Sequence, residues 1–131
     1  METISVRTGT RCAFVEITGD VQAVLRANGW QDGILVVYTP HTTSAVTINE
    51  NADPDVQRDM NSFLSKLIPN LSEFRHAEGN SDSHIKSSLI GCSETIIVEN
   101  GNMVLGTWQG IYFCEFDGPR TRKVHLKFIK S

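Results

Sequence analysis

Three of the four histidines lie in segments of small polar residues, where packing gives an imidazole no evident role. His41, His76 and His84 could converge from separate loops on one divalent ion and leave a position open for water or substrate. The alternative is that each ring is hydrogen-bonded within its own loop, and the spacing alone does not decide between the two. His125 alternates with apolar neighbours, which predicts an outward-facing structural histidine.

Glu50 is the acid best placed for chemistry beside a histidine, because it stands between two asparagines after a strand and before a helix. It could bind a metal ion or act as a general base beside His41. The alternative is a solvent-exposed residue of the connection. Asp53 ranks below Glu50, because the proline that follows gives it a structural role as a helix cap.

Segment 83–88 places a lysine and hydroxyl groups around a predicted helix start, and helix starts attract phosphate and carboxylate groups. Lys86, Ser87 and Ser88 are therefore candidates for binding an anion, although a lysine of this kind is often only solvated. Gln109 lies next to a tryptophan between two glycines and offers polar contacts that a core would not require. We include Gln109 among the candidate binding residues.

Length, charge and cysteine usage limit the class of protein. The 131 residues predict one domain spanning 1–131, and the net charge of −3 argues against a nucleic-acid partner. No apolar run is long enough to span a bilayer, and the N-terminus lacks a secretory signal. Three cysteines without a Cys-x-x-Cys pair fit a reducing compartment. We therefore expect a cytoplasmic protein without a membrane partner.

Alternation of apolar and polar residues, with turn residues between the runs, predicts a chain rich in strands. The predicted strands cover 4–7, 12–17, 34–38, 44–48, 94–99, 104–108, 111–116 and 122–129. The run at 34–38 is continuously apolar and predicts a strand covered on both faces. Asn100 and Gly101 stand between apolar runs and predict a hairpin.

The clearest predicted helix follows Asp53, which caps it, and Pro54, which occupies its first turn. Its apolar residues, including Met60 and Phe63, form one stripe that we expect in the core, and Pro69 ends it.

Two further helices are predicted, one closed by Gly29 and a short one over 84–90, capped by Asp82 or Ser83. Strands outnumber helices and do not alternate with them, so the expected class is α+β with antiparallel strands dominating.

Five segments, 41–45, 49–54, 76–79, 83–88 and 106–111, resemble in type and order the signature of the YjbQ-like proteins. That family is also called the secondary thiamine-phosphate synthase family. The resemblance runs from about His41 to Arg122, and the N-terminal third is compatible but less distinctive. It implies a small α+β domain with β-sandwich character, two or three helices and assembly as a homotrimer.

The resemblance also implies a secondary thiamine-phosphate synthase activity, which joins hydroxymethylpyrimidine diphosphate to thiazole phosphate and releases pyrophosphate. Such a reaction needs stabilised charge on the departing group and exclusion of water. A divalent ion, zinc or magnesium, would be bound by the three histidines, and Lys86, helped by Arg75 or Arg120, would hold the pyrophosphate. Glu50 would orient one of the imidazoles.

One departure from the family pattern concerns 80–82, where many relatives carry an adjacent acidic pair and this chain reads Asn-Ser-Asp. It weakens a magnesium site built on that pair. Two other functions stay open: a metal-dependent hydrolase of a phosphorylated metabolite, and a trimeric protein that binds a small anionic metabolite without chemistry. For an enzyme, the expected partner is a phosphorylated small-molecule substrate.

Overall fold

Eight strands and three helices form the chain, and the computed structural model describes residues 1–131. The strands are β1 (Glu2–Arg7), β2 (Ala13–Glu16), β3 (Gly33–Tyr38), β4 (Ser44–Glu50), β5 (Ser93–Glu99), β6 (Asn102–Met103), β7 (Gln109–Glu115) and β8 (Thr121–Lys130). The helices are α1 (Thr18–Ala27), α2 (Pro54–Leu67) and α3 (Ser81–Ile90). The predicted α+β class is confirmed.

The strands form two antiparallel sheets. One sheet has the order β1-β8-β3-β5-β6 and the other the order β2-β7-β4. In the larger sheet, β3 lies between β8 and β5, and Tyr38 pairs with both His125 and Ser93. All strand pairs are antiparallel, as predicted.

The core lies between the two sheets and is closed by α1. Leu35 and Val37 of β3, Phe113 of β7, and Val21 and Leu25 of α1 belong to one buried cluster. Complete burial of an aliphatic or aromatic side chain of this size stabilises the fold by about 1.5–3 kcal/mol. Packing of residues distant in sequence therefore fixes how the sheets face each other.

Only one face of β3 is buried, so the prediction that both faces are covered is wrong. Leu35 and Val37 have no exposed surface, whereas Ile34 is 42% exposed and Tyr38 is 41% exposed. The outer face of the larger sheet also exposes Ile97 and Ile129, because no helix packs against it.

The first helix ends where the sequence predicts. Gly29 has a φ of 63°, a conformation that favours glycine at a helix end. Trp30 follows directly, and its ring stacks on Phe128 of β8 with the centroids 5.2 Å apart. This contact joins the end of α1 to the last strand.

The predicted hairpin at Asn100 and Gly101 is confirmed, because both residues have positive φ, 52° and 75°, as a tight hairpin turn requires. The prediction of a strand over 104–108 is wrong. β6 stops at Met103, and the chain then turns so that the Gln109 amide donates to the carbonyl of Gly106.

The second helix begins at its predicted cap, since the Asp53 carboxylate accepts a hydrogen bond from the amide of Asp55 at 2.9 Å. Its apolar stripe is not in the core, which contradicts the prediction. Phe63 is 63% exposed and Met60 is only half-buried, because α2 lies over the edge of the smaller sheet. Leu64 alone reaches a small buried cluster around Phe116.

The third helix begins at Ser81, earlier than the sequence predicts, and its N-terminal cap position is Asn80. Asp82 lies inside the first turn and forms an ion pair with Arg11 instead of capping the helix. None of the three helices combines the length and the apolar character needed to cross a bilayer.

Candidate functional site

The three histidines singled out in the sequence line one cavity of about 420 Å³. Three parts of the chain form it: the β3–β4 connection, the segment that leads into α3 with the first turn of that helix, and the β7–β8 connection with the start of β8. No hydrophobic side chain contributes to its wall, which consists of Pro40, His41, Thr42, Thr43, His76, Glu78, Asn80, His84, Asp117, Arg120 and Arg122. The fold therefore builds a polar site from loops that a rigid pair of sheets positions.

His41 is held by the backbone of β8. Its Nε2 accepts a hydrogen bond from the amide of Lys123 at 2.9 Å, so the proton of the neutral ring is on Nδ1. Burial lowers the pKa of His41, and the positive charge of Arg122 lowers it further. His41 is thus a neutral hydrogen-bond donor in this site and has no free lone pair.

His76 and His84 form a pair in the wall of the same cavity. Their ring centroids are 5.3 Å apart, and the ring planes are nearly perpendicular, at 86°. His84 lies in the first turn of α3, while His76 belongs to the preceding connection. His76 is exposed and His84 is half-buried, so both imidazoles can meet a ligand from solvent.

A buried ion pair lies beneath the cavity. The Nε of Arg122 lies 2.9 and 3.1 Å from the two carboxylate oxygens of Glu115, and Nη2 donates to Thr43 Oγ1 at 2.8 Å. Thr8 donates to the same carboxylate at 2.7 Å. Burial opposes ionisation of Glu115, but the hydrogen bonds from Arg122 and Thr8 outweigh it and keep its pKa below the ordinary value. Arg122 is therefore already neutralised.

Arg120 is the more exposed of the two arginines in the wall, and it is also paired with a carboxylate. Its Nε and Nη2 donate to the carbonyl and carboxylate of Asp117 at 2.7 and 2.9 Å, which leaves Nη1 free. Asn80 Nδ2 donates to the same carboxylate at 2.8 Å, and this bond fixes the orientation of the amide. The Oδ1 of Asn80 is buried without any partner. The Nη1 groups of Arg120 and Arg122 and the Oδ1 atom of Asn80 thus have no hydrogen-bond partner in the chain.

The predicted three-histidine metal site is wrong for this structure. No three side chains of the His, Cys, Asp and Glu types lie close enough together to hold one ion. His41 is also unsuitable, because the Lys123 amide occupies its only lone pair. The broader expectation of a divalent cofactor, zinc or magnesium, stays a prediction.

Glu50 and Gln109 lie away from the cavity. They pair with each other at the far end of β4, six residues beyond Ser44, which corresponds to about 20 Å along a strand. Gln109 Oε1 accepts a hydrogen bond from the amide of Gly106. In a single chain, Glu50 cannot act as a base beside His41.

The anion-binding group predicted in α3 is also separated from the cavity. Because the helix begins at Ser81, Lys86 to Ser88 lie beyond its first turn. Lys86 is 2% exposed and contacts Cys12. Ser87 and Ser88 donate to the carbonyls of Ser44 and His84, at 2.5 and 2.9 Å. Both hydroxyl groups are thus already hydrogen-bonded to backbone carbonyls.

The sequence did not single out Thr43, Glu115 or Asp117, or the role of Asn80. Glu115 carries one usable signal, since a carboxylate within the apolar run 111–116 must be paired if it is buried. Asp117 precedes Gly-Pro and reads as an ordinary turn residue. Their contribution depends on contacts between distant segments.

Comparison with known proteins assigns the chain to a family. The family model described as "UPF0047 protein YjbQ-like" matches residues 2–131. UPF0047 protein MJ1081 of Methanocaldococcus jannaschii is 54% identical over 124 residues, which cover 95% of this chain and 90% of that protein. UPF0047 protein YugU of Bacillus subtilis is 49% identical over 130 residues, which cover 98% of each chain.

Solved structures agree in fold over the whole chain. A crystal structure of a YjbQ/UPF0047 family protein from Clostridium acetobutylicum has a TM-score of 0.95 and 52% identity, and the match covers 98% of this chain and 100% of that one. A hypothetical protein from Aeropyrum pernix has a TM-score of 0.93 and 39% identity, with full coverage of both chains.

These comparisons correct the predicted function. The relatives carry only the designation UPF0047, and none of the names reported above assigns a thiamine-phosphate synthase activity. That prediction, together with its histidine-bound metal, is therefore not supported by the matching proteins. The resemblance itself is confirmed along nearly the full length, and the chain belongs to the UPF0047 family of YjbQ-like proteins.

Proposed function

We propose that the chain is an enzyme that binds a phosphorylated small molecule in the polar cavity. In this proposal, His76 or His84 transfers a proton to or from the bound molecule. One observation carries this proposal: a cavity without any hydrophobic lining gathers three imidazoles and an arginine with a free nitrogen. A wall of this kind suits a charged, hydrogen-bonding ligand better than an apolar one.

Anion binding is the first part of the proposal. Arg120 offers Nη1, and His41 is a neutral donor, so both can hydrogen-bond phosphate oxygens. Arg122 contributes less, because its side chain is almost fully buried and its Nε and Nη2 donate to Glu115 and Thr43. Asn80 Oδ1 would accept a hydrogen bond from a hydroxyl or amino group of the same ligand.

Proton transfer is the second part. Histidine is the side chain that most often serves as a general acid or base, and the ring centroids of His76 and His84 lie 5.3 Å apart at the cavity wall. Two neighbouring rings can serve as acid and base on one ligand. His41 does not take this role, because its acceptor nitrogen is occupied by the backbone of β8.

Binding is tested with inorganic phosphate and inorganic pyrophosphate, followed by the histidine side-chain signals in NMR spectra. We expect the signals of His76 and His84 to shift and that of His125 to stay. Arg120→Gln should weaken binding about 10- to 100-fold, the value of a hydrogen bond to a charged group. Arg26→Gln, an exposed arginine on α1, is the matched control. Equal affinity in both variants would contradict the assigned anion site.

Catalysis is tested with a panel of phosphorylated sugars and hydroxy acids, whose conversion is followed by ³¹P NMR. We expect His84→Gln to lose turnover while it retains pyrophosphate binding, and His125→Gln to behave as the original chain. Turnover that survives loss of both His76 and His84 would contradict the proton-transfer role.

The cytoplasmic location is part of the proposal and rests on three free thiols.

A further inference from the structure

Lys86 and Cys12 form a buried pair outside the polar cavity. The Nζ of Lys86 lies 3.9 Å from Cys12 Sγ and 5.8 Å from the ring centroid of Phe116. Lys86 is 2% exposed, and no carboxylate lies within ion-pair distance of its ammonium group. The nearby Asp82 is held by the guanidinium of Arg11 through two hydrogen bonds. A buried lysine whose hydrogen-bond partner is a thiol needs an explanation other than charge pairing.

The thiol is placed to react. Cys12 is half-buried, so a small oxidant can reach its sulfur, and the thiol also contacts the carbonyl of Phe116 at 3.7 Å. The other two cysteines differ. Cys92 is exposed without a lysine contact, and burial strongly raises the pKa of Cys114, which keeps that thiol protonated. Cys12 alone combines access with a neighbouring amine.

We propose that Cys12 and Lys86 are a redox modification site, at which hydrogen peroxide drives formation of a covalent bond between Sγ and Nζ. Peroxide first oxidises the thiol to a sulfenic acid and is reduced to water. The lone pair of neutral Lys86 Nζ then attacks the sulfenic sulfur, and the S–O bond breaks. The hydroxyl group leaves with one amine proton as a second water, so the product is a sulfenamide.

The balance is one thiol, one amine and one peroxide giving one S–N bond and two waters. A second peroxide can oxidise the sulfenamide: the S–N bond breaks, S–O and O–N bonds form to one peroxide oxygen, and the other oxygen leaves as water, which gives an N–O–S bridge between the same two residues. Either bridge would join the segment before β2 to α3, the helix that carries His84.

The test is a peptide map of the full chain after treatment with hydrogen peroxide, without and with later reduction by dithiothreitol. We expect a crosslinked peptide that contains both Cys12 and Lys86. Its mass should be the sum of the two unmodified peptides less two hydrogen atoms for the sulfenamide. For the N–O–S bridge, it should be one oxygen atom heavier than the sulfenamide. Reduction should release both peptides. Cys92 serves as the internal control and should carry oxygen without a crosslink.

Two variants sharpen the result. Cys92→Ser should retain the crosslink, and Lys86→Met should abolish it and leave Cys12 as a sulfinic acid. The peptide map of the unaltered chain is decisive by itself, so the proposal can be refuted even if Lys86→Met fails to fold. The proposal is overturned if Cys12 is oxidised while Lys86 stays free, or if Cys92 reacts and Cys12 does not.

Discussion

Glu115 and Arg122 show how much the site depends on single buried charges. Both side chains are almost fully buried, and their mutual hydrogen bonds are supplemented by Thr8 and Thr43. A buried ion pair gains little net stability, but removing one partner leaves an uncompensated charge in the interior. The floor of the cavity therefore tolerates loss of the whole pair better than loss of one member.

The first prediction follows from this pair. Glu115→Gln should lower the free energy of unfolding by about 3–5 kcal/mol, because Arg122 is left buried without its counter-charge. The double variant with Arg122→Met should recover part of the loss. Urea unfolding measures both. Arg58→Gln, which breaks an exposed pair with Asp55, should cost about 0–1 kcal/mol; a similar loss in Glu115→Gln would be evidence against the argument.

His41 gives the second prediction, on pH. Its pKa in the folded chain is below 6.5, so the unfolded chain binds the proton first as the pH falls. The contribution of His41 to stability is complete above about pH 6.5 and is lost as the pH falls through the pKa of the folded state. An NMR titration of His41 should give a midpoint below the ordinary histidine value. In the His41→Gln variant, the free energy of unfolding should depend less on pH over the same pH range. A midpoint at or above 6.5 would contradict this assignment.

At this scale the sequence singled out the three histidines that line the cavity, but their spacing left open whether they would meet. It did not predict their hydrogen bonds. The Lys123 amide that donates to His41 Nε2 carries no signal in sequence, since every residue except proline provides a backbone N–H. The prediction placed Lys86 at the start of a helix over 84–90. The helix begins earlier, at Ser81, so Lys86 lies beyond its first turn and is buried.

Among the elements, α2 shows that local signals can fix a helix without fixing its surroundings. The cap at Asp53 and the prolines at both ends lie within the segment and were readable. Whether its apolar stripe is covered depends on what packs against it, and in this chain Phe63 and Leu67 are exposed. The prediction of a strand over 104–108 was wrong for a related reason, because its β-branched and aromatic residues do not reveal the turn at Gly106.

The third prediction concerns the cap of α2. Asp53→Ala should lower the free energy of unfolding by about 1 kcal/mol, because the amide of Asp55 loses its acceptor. Asp59→Ala removes an exposed acid from the middle of the same helix and should change stability by less than about 0.5 kcal/mol. Thermal unfolding of the two variants provides the comparison. If both lose the same amount, the cap is not the cause.

For the whole molecule, the antiparallel class was predictable, since strand alternation and the Asn-Gly hairpin are local patterns. The order of strands was not, because β8 inserts between β1 and β3 and pairs with residues near the opposite end of the chain, such as Glu2 with Leu126. The cavity is a product of that order. It draws on three connections that lie far apart along the chain.

The fourth prediction concerns assembly. The resemblance to YjbQ-like proteins implies a homotrimer, and the exposed apolar residues of α2 give an association a surface to use. Light scattering coupled to size-exclusion chromatography should give a mass about three times 14.5 kDa. A mass of one chain across the accessible concentrations would refute the trimer.

The positions of the two tryptophans determine what optical signals can report. Trp30 is stacked on the last strand and Trp108 is 61% exposed, and neither touches the cavity wall. Intrinsic fluorescence will thus follow unfolding through Trp30, and iodide will quench Trp108 preferentially. Neither emission band is positioned to register occupancy, so a silent fluorescence titration carries no information about whether a ligand is bound.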